Sequence, residues 1–379
     1  MTLFFLSFFL VYGGAHTFLL WRLWMVYPLS GIWAALAVAW CSIMVCAPLA
    51  VRLLERNGHD LLAGSLALAG YCWMAWLFLF CTLSLVTELL HNIHRLVGYF
   101  VHIPRINLLQ PRLLVIFCLV MATGITIWGW FEALSIRTEQ VQIETAKLPV
   151  GSKSIRIVQI SDLHVGLIVQ EKRVQRVIEI IRQANPDLLV STGDLVDGNL
   201  RHFDSVSTLF RELTPALGML ASPGNHEYYV GYRQAKDFTE KSGFRMLRSE
   251  ALPVGERLLV VGLDDPAGAN FPGFNPNAER TLLAQAQQNR FVLLLKHRPE
   301  LSLESRGRFD LQLSGHVHKG QIFPFNLITW MRFPVRAGTT LLEWGGRLHV
   351  NRGTGTWGPP IRFLAPPEVT VIDLVPAQQ

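Results

Sequence analysis

The sequence predicts an α/β layered domain preceded by an all-helical membrane region, and three observations predict it. First, charge is unevenly spread. Residues 1–134 carry six Arg, no Lys and four acids (Glu55, Asp60, Glu88, Glu132), and the other 52 charged side chains lie beyond them. Second, four segments, about 2–21, 30–51, 61–90 and 112–134, are apolar over the roughly 20 residues that a bilayer core requires. Third, from about residue 150 short β-rich runs alternate with helical stretches, the pattern of an α/β domain. A chain of 379 residues with this split excludes a wholly soluble enzyme, an all-membrane transporter and a disordered polymer.

The first apolar segment does not read as a cleaved signal peptide: it lacks a basic start and three further spans come after it. All five cysteines (Cys41, Cys46, Cys72, Cys81, Cys118) fall in the apolar half. The polar half therefore has neither a disulfide framework nor a thiolate metal site. Between the third and fourth spans, His91, His94, Arg95, His102 and Arg105 recur at helical spacing on one face. Apolar residues fill much of the rest. This predicts an interfacial helix near 91–103, ended by Pro104.

With four spans, the N-terminus and the polar half share a side. Their side holds Arg52, Arg56 and Arg137, whereas the other holds Arg22, Arg95, Arg105 and Arg112. Counting short-loop basic residues places the polar half outside the cytoplasm. The expected organisation is a transmembrane region at 1–134, a linker at 135–153 and a catalytic domain at 154–379. The net charge of +6 is modest, and its basic residues form no patch of the kind that marks a nucleic-acid partner.

In the polar half, the expected strands are 154–160, 187–192, 217–222, 257–263, 290–296 and 309–314. Helical character marks 170–184, 202–214 and 278–288. The runs 341–350 and 368–375 read as a closing hairpin or edge pair. The residues just beyond the strands carry the chemistry. After 154–160 come Asp162 and His164; after 187–192, Gly193, Asp194 and Asp197; after 217–222, Gly224, Asn225, His226 and Glu227. His297 succeeds 290–296, and Gly315, His316 and His318 succeed 309–314. Each group alone is ordinary turn or cap chemistry. Together they place five groups of metal-competent side chains at strand ends, where ligands of α/β sheets bind.

The donors are imidazole nitrogen, carboxylate and one amide oxygen. That set suits manganese, iron, zinc or magnesium more than a structural zinc, and it is too large for one ion. A carboxylate such as Asp194 can bridge two ions. Such a pair clamps the attacking and leaving oxygens of an in-line phosphoryl displacement.

The series D-x-H, G-D-x-x-D, G-N-H-E, H and G-H-x-H closely resembles the calcineurin-like metallophosphoesterase superfamily over roughly residues 154–375. The tail from Asn351 to Pro360, with Ala365-Pro366-Pro367-Glu368, is similar to its bacterial membrane-associated, YkuE- and YaeI-like branch. The resemblance implies a four-layer α/β/β/α sandwich and a dinuclear centre, with manganese the first choice of metal. By motif, Asp162, His164, Asp194 and His318 would hold one ion. Asp194, Asn225, His297 and His316 would hold the other. His226 would serve the phosphate as stabiliser or acid, with Asp197 orienting it. Glu227 reads as structural. The branch usually has Gly where this chain has Lys319, which either touches an anionic substrate or points to water. Arg298, beside His297, either grips phosphate or forms a surface salt bridge.

Residues 321–336 hold Phe323, Phe325, Leu327, Ile328, Trp330 and Phe333 and no acid. They read either as a core-covering loop or as a membrane-dipping loop beside the site, with Trp330 and Arg332 suited to head groups. The leading expectation is a membrane-anchored metal-dependent phosphoric ester hydrolase, sited in a bacterial inner membrane and acting on a phosphate ester or pyrophosphate that is lipid-linked. The alternatives are a transporter or receptor with a regulatory phosphoesterase domain, a phosphodiesterase for soluble nucleotides, and a non-catalytic metal scaffold.

Overall fold

The computed structural model describes residues 2–101, 110–200, 203–286, 289–335 and 337–377. The chain divides into two compact units: Met1–Phe131 with Gly358–Ile361, and Glu132–Trp357 with Arg362–Gln379.

The apolar sequence forms helices α1 (Thr2–Val26), α2 (Ile32–Arg56), α3 (Asp60–Val101) and α4 (Pro111–Leu134). Of these, α2, α3 and α4 are long and apolar enough to cross a membrane. Large side chains such as Leu10, Trp24, Trp33 and Leu61 stand exposed on this bundle, as suits helices solvated by lipid. Its polar groups find one another. The Trp73 indole donates to His16 Nε2 at 2.8 Å, and Arg22 meets Glu88 at 3.0 Å. The separate interfacial helix expected at 91–103 is not seen. Instead α3 continues unbroken for 42 residues, because no proline interrupts it before Pro104. His102 and Arg105 lie outside the described residues.

The second unit contains, in order, β1 (Arg137–Thr145), β2 (Ile155–Ile160), α5 (Glu171–Ala184), β3 (Leu188–Ser191), α6 (Asp204–Arg211), β4 (Met219–Ala221), α7 (Asn225–Val230), α8 (Tyr232–Lys241), β5 (Arg245–Met246), β6 (Glu250–Val254) and β7 (Leu258–Gly262). It continues with α9 (Ala278–Ala284), β8 (Phe291–Leu295), β9 (Leu311–Ser314), α10 (Asn326–Arg332), β10 (Gly338–Leu341), β11 (Arg347–Val350) and β12 (Glu368–Pro376). Two six-stranded sheets result, in the orders β1-β12-β2-β3-β4-β5 and β10-β11-β9-β8-β7-β6. Ile157, Leu188, Val190 and Leu220 of the first sheet pack on Val260, Leu293, Leu295 and Leu313 of the second. The outer face of the first sheet buries Val177, Ile181, Phe210 and Phe238 from α5, α6 and α8. The outer face of the second buries Ala278 and Leu283 from α9. These are the four layers, helix, sheet, sheet and helix.

Two local expectations need correction. The stretch 135–153 is not simply a linker, because residues 137–145 form β1, paired in parallel with β12. Ile143 is buried there between exposed or half-exposed neighbours, a half-buried edge strand rather than free chain. The runs 341–350 and 368–375 do not pair with each other. Trp344-Gly345-Gly346 turns the first upon itself, so β10 and β11 make an antiparallel hairpin in the second sheet. β12 inserts between β1 and β2 in the first.

Candidate metal centre

Parallel pairing aligns the carboxyl ends of β2, β3 and β4 in one sheet and of β8 and β9 in the other. The loops leaving those ends carry the candidate ligands. Asp162, His164, Asp194, His316 and His318 all have positive φ, between 46° and 70°. Non-glycine residues seldom adopt that region, and strain of this kind gathers at functional sites. It turns each side chain sharply off its strand end. The companion glycines have a separate cause. A Cβ at Gly193 would lie 2.6 Å from the Gly224 nitrogen and 2.8 Å from His297 Nδ1. Only glycine lets the Asp194, Asn225 and His297 loops close on one another.

Ligand atoms gather in three overlapping groups: Asp162, His164 and His318; His164, Asp194 and His226; and Asp194, His297 and His316. Within each group the atoms lie within 4.8 Å of one another. On one side, His164 Nε2 faces His318 Nε2 at 3.1 Å, and His318 Nε2 lies 3.4 Å from Asp162 Oδ1. On the other, His297 Nε2 stands 3.1 Å from His316 Nδ1, 3.2 Å from Asn225 Oδ1 and 3.2 Å from Asp194 Oδ2. Asp194 belongs to both sides, with Oδ2 also 3.9 Å from His164 Nε2.

These residues fit a pair of divalent cations. His297 Nδ1 donates to the Thr192 carbonyl at 2.8 Å, which turns Nε2 and its lone pair toward Asp194. Burial lowers His164 to about 4 and His316 to about 3, and His318 well below its usual value, so all three are neutral donors at neutral pH. Burial opposes ionisation of Asp194, yet the imidazoles of His297 and His226 hold its carboxyl well below the usual range. Burial likewise opposes protonation of His297, but Asp194 pushes it up to about 10. A cation at that position competes with the proton.

Hydrogen bonds brace the ligands from behind. Ser161 Oγ donates to Asp162 Oδ2 at 2.5 Å, and the His316 amide donates to both Asp162 oxygens at 3.0 Å. Glu227 accepts from the amides of Gly224, Asp194 and Leu195 at 2.7, 3.0 and 2.8 Å. It holds the Asp194 and Asn225 loops together and points no oxygen at the ligand cluster in these bonds.

His226 joins the bracing through its main chain. Its amide donates to Asp194 Oδ1 at 2.8 Å, and its Nδ1 lies 2.7 Å from Asp197 Oδ1. Burial disfavours the imidazolium, but Asp194 and the hydrogen-bonded Asp197 raise His226 to about 9. Nε2 is thereby left as the nitrogen able to donate a proton at neutral pH.

Residues 155–320 match the calcineurin-like phosphoesterase family. An uncharacterized metallophosphoesterase of Aquifex aeolicus is 40% identical over 249 residues, which cover 65% of this chain and 95% of that protein. The chain belongs to the calcineurin-like metallophosphoesterases. Two further relatives match a similar share of the chain. The uncharacterized metallophosphoesterase YkuE of Bacillus subtilis is 34% identical over 65% of this chain and 87% of its own length. A zebrafish (Danio rerio) protein described as a transmembrane protein with a metallophosphoesterase domain is 27% identical over 68% of this chain and 62% of its own length. This metallophosphoesterase is thus a metal-dependent phosphoesterase whose residue clusters suit a dinuclear centre.

Three further residues singled out in the sequence are less tightly gathered. Arg298 is engaged by Asp265 through two hydrogen bonds, at 2.8 and 2.9 Å. Lys319 is exposed immediately after His318. Trp330 is 50% exposed on α10. Phe333, grouped with Trp330 by sequence, sits differently: its half-buried ring meets the His316 ring edge-on at 5.4 Å.

Sequence reading missed Arg362 in this metallophosphoesterase. It is fully buried. Its guanidinium lies 3.0 Å from His318 Nδ1 and donates to the carbonyls of Gly355 and Arg352 at 2.6 and 2.8 Å. A lone arginine in the apolar run Pro360-Ile361-Arg362-Phe363-Leu364 was the available signal. The tail motif has a local task too. The Thr354 and Gly355 amides donate to the carbonyls of Ser161 and Asp162 at 2.7 and 3.0 Å, clamping the first ligand loop.

Proposed function

We propose that this metallophosphoesterase is a membrane-anchored hydrolase that cleaves a phosphate ester or pyrophosphate bond of a lipid-linked substrate, using two divalent ions of which manganese is the first choice. The proposed setting is a bacterial inner membrane, with the catalytic unit on the extracytoplasmic side. The observation that carries the catalytic reading is the convergence of donors around the shared Asp194. Asp162, His164 and His318 would hold one ion, and Asn225, His297 and His316 the other. When bound, the pair supplies Lewis acidity and makes a water-derived nucleophile available at neutral pH.

The chain's own residues complete the reaction. Water's oxygen bonds to phosphorus, the bond to the leaving oxygen breaks, and His226 Nε2 gives its proton to that oxygen. Asp197 holds the ring's orientation and stabilises its charged form through Nδ1. Water's displaced proton restores the imidazolium for the next turnover.

The lipid-linked part is supported by the loop after the last ligand pair. None of the residues of α10 is buried, and Leu327, Ile328, Trp330 and Met331 are each at least half exposed. That does not suit a core-covering loop. It suits insertion among lipid tails, with Arg332 at head-group level. The test is to replace Trp330 and Met331 with Ser and compare the apparent KM for a phosphorylated lipid in nanodiscs with that for a soluble aryl phosphodiester. The expected result is a several-fold rise for the lipid relative to the soluble ester. Equal changes for both would remove the lipid reading. Phe333 stays intact in this test because its ring packs on His316.

A further inference from the structure

Beside His226 the site opens, and the opening is lined by aromatic rings. Tyr229, one turn of α7 beyond His226, places its ring 5.4 Å from the imidazole. Trp357, from the tail, places its ring 6.0 Å away. Both meet the imidazole edge-to-face, at 63° and 78°. His226 itself is buried, yet Tyr229 is 68% and Trp357 53% exposed. Apart from these edge contacts, both side chains leave more than half of their surface open beside the buried imidazole.

Trp357 is nevertheless held in place. Gln321 clasps its main chain from both sides, donating to the Trp357 carbonyl at 2.8 Å and accepting from its amide at 3.0 Å. Gln321 begins the segment that leads to α10. Ile322 then bridges to Phe363, and the Phe323 amide donates to the Phe363 carbonyl at 3.1 Å. Along this tie Phe323, Phe325 and Leu364 are exposed, and the exposed residues of α10 come next. Exposed apolar side chains thus follow the backbone tie from Trp357, beside His226, to the helix proposed to dip among lipid tails.

We infer that Tyr229 and Trp357 form the subsite for the leaving alcohol, and that this subsite takes the alkyl or isoprenyl chain of a phosphorylated lipid alcohol. The inference rests on the lipid-linked reading above and names which end of the substrate lies where. The proton leaves His226 toward the leaving oxygen, so the group attached to that oxygen must lie on the His226 side, between these two rings. An unbranched or isoprenyl chain passes along an aromatic strip by apolar contact alone. A nucleoside or sugar would leave its hydroxyls facing apolar carbon, at the cost of their hydrogen bonds.

The test uses the full-length protein in nanodiscs and non-hydrolysable alkylphosphonates, with empty nanodiscs as blank. Burying a methylene against apolar surface tightens binding by up to about fourfold, and a half-open strip by about twofold. Decylphosphonate should therefore bind tens of times more tightly than butylphosphonate. In Tyr229→Ala with Trp357→Ala that ratio should fall to a few-fold, while Tyr229→Phe with Trp357→Phe should keep most of it. Both positions are exposed, so the alanine pair leaves the core packing intact. A ratio unchanged by the alanine pair, or one no greater than a few-fold in the parent protein, overturns the subsite. Tighter binding of a nucleoside phosphonate than of decylphosphonate also overturns it. The Trp330 and Met331 measurement reads a different surface, so loss of the subsite and loss of the membrane reading are told apart.

Discussion

The two sides of the centre are built on opposite principles. On the ligand side, Asp162, His164, Asp194 and His297 are at most 2% exposed, and each is fixed by glycine contacts or by hydrogen bonds from a neighbouring loop. On the side proposed for the leaving group, Tyr229 and Trp357 are open, and Gln321 holds Trp357 through its main chain. Burial and these bonds hold the candidate donors in place, as metal coordination needs. Exposure leaves the substrate's organic part to be chosen by contacts that cost the fold nothing to change.

The sharpest way to break this comparison is at the shared carboxylate. Asp194→Asn keeps the shape of the side chain, and asparagine tolerates the positive φ of 52° found there. The fold should survive by circular dichroism, while metal content and turnover both fall by orders of magnitude. A variant that binds two metals and keeps its turnover would show that Asp194 is not shared.

His226 stands at the boundary between the sides, so its loss should look different. His226→Ala should keep both metals and lower turnover by about 10²–10⁴-fold. The loss should shrink for aryl esters, whose leaving oxygen needs no proton. An equal loss across leaving groups would argue for electrostatic stabilisation of the phosphate rather than proton donation. Asp197→Asn should have a smaller effect, about 10–100-fold, with the same dependence on leaving group, because it acts through the His226 ring. Independence from leaving group in this variant would separate Asp197 from His226.

Much of the candidate ligand cluster was legible in the sequence because metal chemistry restricts residue types. Aspartate, histidine and asparagine at five strand ends leave few other readings. The strands were legible for a similar reason, since β3 and β8 are buried, mainly apolar runs and β2 and β9 mix buried apolar side chains with polar ones. β1 escaped because Thr138, Glu139, Gln140 and Gln142 dilute its apolar positions to those of an edge strand. The left-handed backbone at Asp162, His164 and His318 was invisible, since no residue type announces it. Arg362 was missed because its partners are main-chain carbonyls and one imidazole, assembled only when the tail folds over the first ligand loop. The strip from Trp357 to α10 depends on the Gln321 clasp across 36 residues of sequence, which spacing alone does not reveal.

The central claim is a dinuclear centre assembled around Asp194, and the most direct test is to count metal. The purified full-length protein, stripped with chelator, reloaded with manganese and freed of excess, should hold two ions per chain by elemental analysis, and phosphoesterase activity should return with their binding. One ion per chain at full activity, or full activity in the stripped protein, would contradict the account.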